Sequence, residues 1–131
     1  MAKRSFPCSL ITPEGVVFTG DVTCAILTIH DGLTAILPTH APMICKLSAG
    51  RLRLDTLEGI RSWFVDQGVA HLREGHLVIL AEVALRPEEL DRHHALAMLQ
   101  EARQMPTDTE DNLRLREQIE TSARAQLRMI G

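Results

Sequence analysis

From residue 5 to about residue 84 the chain alternates apolar and polar positions in short runs, and after Ala84 the apolar positions recur every three or four residues. Arg51-Leu52-Arg53-Leu54-Asp55 alternates strictly, which predicts a strand with leucines on one face and charges on the other. Val22 to Ile29 is rich in β-branched residues and predicts one strand, ended by the turn signal His30-Asp31-Gly32. Glu58-Gly59, Asp66-Gln67-Gly68 and Glu74-Gly75 predict tight turns that separate Ile60–Val65, Val69–Leu72 and His76–Ala81. Short strands with turns roughly every 8–12 residues, uninterrupted by a helical period, predict an antiparallel β-sandwich over residues 1–85.

Residues 86–131 carry the second period. Arg86-Pro87-Glu88-Glu89 has the form of a helix start, with a proline near the first helical position and two acids in the first turn. Leu90, Met98, Ala102 and Met105 then share one broad face, with Ala95, Ala97 and Leu99 at its margins, until Pro106 stops the helix. Thr107-Asp108-Thr109-Glu110 has the form of a capping box for a second helix, along which Leu115, Ile119, Ala123, Leu127 and Ile130 recur. The expected fold class is α+β, a sandwich followed by an antiparallel two-helix hairpin. Helices of roughly 18 and 22 residues are marginal alone, so the hairpin must dock on the sandwich or on a partner. An alanine-rich stripe buries little area and makes exchange between two docking places inexpensive.

Composition narrows the function classes. Net charge is −3, against a basic nucleic-acid surface. Aromatic content is 3 %, so the core must come from Val, Ile, Leu and Ala. Cys8, Cys24 and Cys45 lie in apolar runs without paired spacing and read as buried free thiols of a reducing compartment. No apolar run reaches the roughly 18 residues of a spanning helix, and the expected place is the cytoplasmic side. Neither a glycine-rich phosphate loop, a GxSxG elbow nor a CxxC pair occurs.

The histidines are the remaining candidates for chemistry. His71 and His76 flank the Glu74-Gly75 turn and could approach across a hairpin, but a metal needs further ligands and only Glu74 is local. His93 and His94 point about 100° apart on a helix; His94, four residues from both Leu90 and Met98, is expected to face inward or into the hairpin seam. His40 sits in the turn Pro38-Thr39-His40-Ala41-Pro42, where two prolines fix φ and hold a surface shape. No orienting partner for a base stands near it in sequence, so it reads as a binding residue rather than a catalyst.

The stretches Asp31-Gly32-Leu33-Thr34-Ala35-Ile36-Leu37-Pro38-Thr39-His40-Ala41-Pro42, Leu47-Ser48-Ala49-Gly50-Arg51-Leu52, Val78-Ile79-Leu80-Ala81-Glu82 and Ala125-Gln126-Leu127-Arg128 give the chain a family likeness. It resembles the epsilon subunits of F-type ATP synthases (delta in mitochondria). The resemblance implies a sandwich of about ten strands and a two-helix hairpin, in a central-stalk subunit without catalytic residues, metal or required cofactor. It implies partners in the gamma subunit and the c-ring, with C-terminal helices able to reach the alpha/beta head and restrain ATP hydrolysis. It implies a peripheral place on the cytoplasmic side of the bacterial inner membrane. By resemblance Asp31, Leu33, Pro38, His40 and Pro42 face the rotor partners, and Arg103, Arg114, Arg116, Arg124 and Arg128 are candidates for an acidic segment of beta.

Departures from the family pattern carry expectations too. Ala35 and Thr39 stand where glycine is usual, and Gln67-Gly68 replaces paired glycines. Some members bind ATP through an Ile/Leu-Asp-x-x-Arg-Ala motif. Here Asp91 and Ala95 match, but His94 replaces the arginine and Leu85 the nearby acid, which removes charge-assisted bonds of about 1.5–3 kcal/mol each. ATP binding is expected to be weak or absent, with Asp91 a remnant; isothermal titration giving micromolar affinity, lost in Asp91→Ala, would refute this. Beside the rotor reading stand a self-contained interaction module with a permanently docked hairpin and a small metal-dependent enzyme using the histidines.

Overall fold

Leu52 and Leu54 are fully buried while Arg51 is exposed and Arg53 and Asp55 are half-buried, so the alternation of this segment is realised as a strand with one face inward. The computed structural model describes residues 4–130. Among them run β1 (Phe6–Thr12), β2 (Gly15–Val22), β3 (Cys24–Ile29), β4 (Gly32–Ile36), β5 (Met43–Leu47), β6 (Gly50–Thr56), β7 (Gly59–Arg73), β8 (His76–Leu85), α1 (Arg92–Gln104) and α2 (Glu110–Ile130). The chain divides into two compact units, Met1–Leu85 and Arg86–Gly131.

In the first unit the strand order is β2-β1-β8-β7-β6-β3-β4, with β5 also paired to β7. All pairings are antiparallel except β1 with β8, where Cys8 to Ile11 lie beside Leu77 to Leu80 in parallel. β5 and β6 lie end to end along the 15-residue β7: Leu47 pairs with Gly68 and Gly50 with Val65. The Phe18 ring of β2 meets the Trp63 ring of β7 edge-on at 5.6 Å between centroids. In a flat sheet those strands would stand roughly 14 Å apart, three strand spacings. The sheet therefore folds over on itself as a sandwich. Its interior is filled by such fully buried side chains as Leu10, Leu27, Ile36, Leu54, Leu77 and Ile79.

Two glycines mark close approaches to a neighbouring strand. A Cβ on Gly50 would lie 2.8 Å from the Thr28 side chain, and one on Gly68 would lie 2.9 Å from the Leu80 carbonyl oxygen. Around Gly50 the Ser48 N–H donates to the Thr28 carbonyl at 2.9 Å and the Thr28 hydroxyl donates to the Arg51 carbonyl at 2.9 Å. The glycine of the Leu47–Leu52 stretch thus serves the junction between β5 and β6.

Several local expectations change. Asp66-Gln67-Gly68 does not reverse the chain: β7 runs through it, with Gln67 at φ 52°. Pairing of the flanking residues carries the strand through, Asp66 with Val83 and Gly68 with both Leu47 and Ala81. The Val22–Ile29 run is two strands, broken at Thr23, whose N–H and hydroxyl both bond the Asp55 carbonyl. Cys8 is buried, but Cys24 and Cys45 are only half-buried.

In the second unit, Pro87–Glu89 form a single 3-10 turn and α1 begins later, at Arg92. The Glu89 carboxylate folds back to accept the Arg86 N–H at 3.0 Å, Leu90 is extended, and Asp91 caps α1 by accepting from His93 N–H at 3.0 Å. The cap of α2 is Thr109, not Thr107: its hydroxyl accepts from Asn112 N–H at 3.1 Å. The buried positions of the helices are small or polar: Ala95 and Ala102 of α1, then Ser122, Ala123, Ala125 and Gln126 of α2. The Gln126 amide donates to Met98 Sδ across the pair at 3.7 Å. Leu115, expected in the stripe, is 47 % exposed.

Candidate docking surface

The turn between β4 and β5 is built by its own backbone. His40 N–H donates to the Leu37 carbonyl at 3.1 Å, with Pro38 and Thr39 between them and Thr39 at φ 70°. A positive φ two residues after the accepting carbonyl, following proline, is the pattern of a type II turn, whose third position favours glycine. Thr39, the departure noted in sequence, therefore occupies a left-handed position that costs a β-branched residue about 1–2 kcal/mol. His40 is exposed, and its Nδ1 lies 2.7 Å from the Ala41 carbonyl oxygen. Pro38 is half-buried and Pro42 exposed.

Asp31 and Leu33 are also exposed, Leu33 to 72 %. They lie at the start of β4, and the His40 turn follows its end. Five residues of extended chain separate the two groups by roughly 15 Å. The structure therefore does not gather the five sandwich residues into one cluster; it sets two projections at opposite ends of one strand. Leu37 at 55 % and Ile44 at 71 % exposure add apolar surface on either side of the turn. Both lie in the quoted stretch or just beyond it, and only the folded register reveals that they face outward.

The arginines of the second unit divide similarly. Arg116 Nε donates to Glu120 at 2.9 Å, and Arg124 Nη2 lies 3.3 Å from the other oxygen of the same carboxylate. The Arg116 hydrogen bond holds the Glu120 carboxyl below the usual carboxylate range, with the charges of Arg116, Arg124 and Arg103 acting in the same direction. Arg128 continues the row four residues beyond Arg124, while Arg114 lies about 200° around α2 from Arg116. Glu120 was missed in sequence, although its i, i+4 spacing to arginines on both sides was the available signal.

His94 is exposed, contrary to the inward position expected of it: with α1 starting at Arg92, Ala95 takes the buried place. Asp91 serves as a helix cap. His71 and His76 stand opposite Val78 and Arg73, so a cation at His76 would meet a guanidinium rather than a ligand. Among the described residues no three His, Cys, Asp or Glu side chains are grouped to hold a metal. Burial pushes the Cys8 thiol up to about 12, and burial likewise raises Cys24 and Cys45.

Residues 5–87 match the family described as ATP synthase, Delta/Epsilon chain, beta-sandwich domain. The chain is 32 % identical over 124 residues to the ATP synthase epsilon chain of Rhodopirellula baltica, covering 95 % of this chain and 97 % of that one. It is 32 % identical over 127 residues to the epsilon chain of Rippkaea orientalis, covering 93 % of each. Its fold is similar to a chain of the Euglena gracilis mitochondrial ATP synthase, with TM-score 0.84 at 18 % identity, over 97 % of this chain and 82 % of that one. A chain of the Tetrahymena thermophila mitochondrial ATP synthase central stalk and c-ring gives TM-score 0.76 at 11 % identity, over the whole of both chains. With the sandwich matched almost from end to end and the hairpin included in the full-length similarities, the chain belongs to the ATP synthase delta/epsilon chain family.

Proposed function

We propose that this chain is an epsilon-type central-stalk subunit of an F-type ATP synthase, turning with the rotor and coupling ion flow through the c-ring to ATP synthesis without catalysing a step itself. The family match of the sandwich carries this reading. The two projections of β4, Asp31–Leu33 and the His40 turn, are docking contacts for the rotor partners, gamma and the c-ring. Their separation along the strand suits contact with two partner surfaces rather than one. The subunit is peripheral, on the cytoplasmic side of a bacterial inner membrane; among the described residues no helix is long and apolar enough to cross one.

The hairpin is the regulatory part. Arg103, Arg114, Arg116, Arg124 and Arg128 are the candidates for an acidic segment of beta when the helices reach the alpha/beta head, Arg114 from a different face of α2 and Arg116 and Arg124 in exchange for Glu120. Each surface pair is worth at most about 1 kcal/mol. Such contacts are individually weak and salt-sensitive, as a reversible brake on hydrolysis requires.

Co-purification tests the first claim: the tagged chain should bring down gamma, alpha and beta. A chain that emerges alone is instead a self-contained interaction module. For the second claim, a chain ending before Arg86 should still bind gamma, and the complex assembled with it should hydrolyse ATP faster than one with the full chain. Equal rates make the hairpin structural rather than inhibitory.

A further inference from the structure

The ring of His40 is held more tightly than its exposure suggests. Pro38 and Pro42 restrict the backbone on both sides, and the His40 N–H is tied to the Leu37 carbonyl at 3.1 Å. Within that frame Nδ1 lies 2.7 Å from the Ala41 carbonyl oxygen. A carbonyl oxygen can only accept, so Nδ1 carries the proton of this bond. In the neutral ring the other nitrogen, Nε2, is then the bare one. The turn thus selects a tautomer, and with it the chemistry that an exposed ring offers to a neighbour.

We infer that His40 presents the Nε2 lone pair as a hydrogen-bond acceptor, and that the group meeting it on the gamma subunit is a donor: a backbone N–H, a hydroxyl, or a lysine or arginine. A carboxylate on the partner does not suit the neutral ring, because two acceptors would face each other; it would require the protonated ring, in which both nitrogens donate. This assignment rests on the reading of the turn as a rotor contact and deepens it by stating the chemistry of the contact. It also explains why a histidine at this position needs the carbonyl of Ala41 beside it. Without that bond the ring could offer either a donor or an acceptor, and the turn would not discriminate between partner surfaces.

Two measurements test it separately. Long-range proton–nitrogen NMR of the labelled full chain, about two pH units above the ordinary histidine value, should show His40 in the Nδ1–H form. A dominant Nε2–H form overturns the assignment. Affinity for the gamma subunit of the same synthase is then compared among variants that keep the folded amide spectrum. His40→Ala should weaken binding about 3–10-fold, the size of one net hydrogen bond. His40→Gln, which offers a carbonyl oxygen, should recover most of that loss, and His40→Lys, which can only donate, should not. Recovery by Lys equal to that by Gln overturns the acceptor role while leaving the turn in the interface. Unchanged binding in His40→Ala removes the ring from the gamma interface and overturns this inference.

Discussion

The two units of this chain solve burial in different ways. The sandwich packs large aliphatic side chains, with Leu10, Leu27, Ile36, Leu52, Leu54, Leu77 and Ile79 all buried. The hairpin buries Ala95, Ala102, Ala123 and Ala125 together with the polar Ser122 and Gln126. Each buried leucine removes several times the apolar area that an alanine does, and stabilisation follows area at about 25 cal/mol per Å². The difference teaches that the sandwich is held by packing of large side chains, while the hairpin gains much less from its own buried surface. Capping and ion pairs, from Asp91, Thr109 and Glu120, do for the helices part of what packing does for the strands.

That comparison can be broken by substitution. Leu52→Ala in the sandwich should destabilise by about 2–5 kcal/mol in urea unfolding, since Leu52 is fully buried. A cost below about 1 kcal/mol would mean the sandwich is no more tightly packed than the hairpin. Ala102→Leu should cost about 1–3 kcal/mol by forcing large atoms into a close helix seam. No loss of helix stability would mean that the seam between α1 and α2 has room for larger side chains.

Thr39→Gly should stabilise the sandwich by about 0.5–1 kcal/mol, because relief of the left-handed strain exceeds the added chain entropy of glycine. A loss of stability would place the strain elsewhere. For the hairpin, acid is the sharper probe. The Glu120 carboxyl titrates below its ordinary value in the folded state, so its contribution is full above the unfolded value and is lost as pH falls through the lowered folded one. Helicity monitored by circular dichroism should hold down to about pH 4.3, the unperturbed glutamate value, and decline below it, less steeply in Glu120→Gln. The smallest perturbation is none: at neutral pH Cys24 and Cys45 should react with an aromatic disulfide before Cys8, which reacts only when the sandwich opens.

Much of the fold was legible in residues 51–55, where alternation reports the buried face directly, and in the change of period after Ala84. The misread places share a cause. Asp66-Gln67-Gly68 has turn composition, yet pairing with β5 and β8 carries the strand through it, with only Gln67 left-handed. Arg86-Pro87 has the form of a helix start, yet only one 3-10 turn follows before Leu90 becomes extended, and Asp91 caps α1, which begins only at Arg92. His94 was assigned inward on a register that this delay shifts. Of the candidate surface, the Pro38–Pro42 turn could be seen in sequence because proline restricts backbone locally, whatever surrounds it.

By itself the sequence determined the two periods, the proline-framed turn and the family likeness, because each depends on residues close together in the chain. Tertiary structure alone decided that β7 runs unbroken beside both β5 and β6, that Gly50 must yield to Thr28, and that Asp31 and His40 stand at opposite ends of β4. It also decided that the His40 ring bonds Ala41 and so offers one nitrogen outward. These depend on atoms brought together by pairing and turn geometry, whose energies outweigh the local preferences of any few residues.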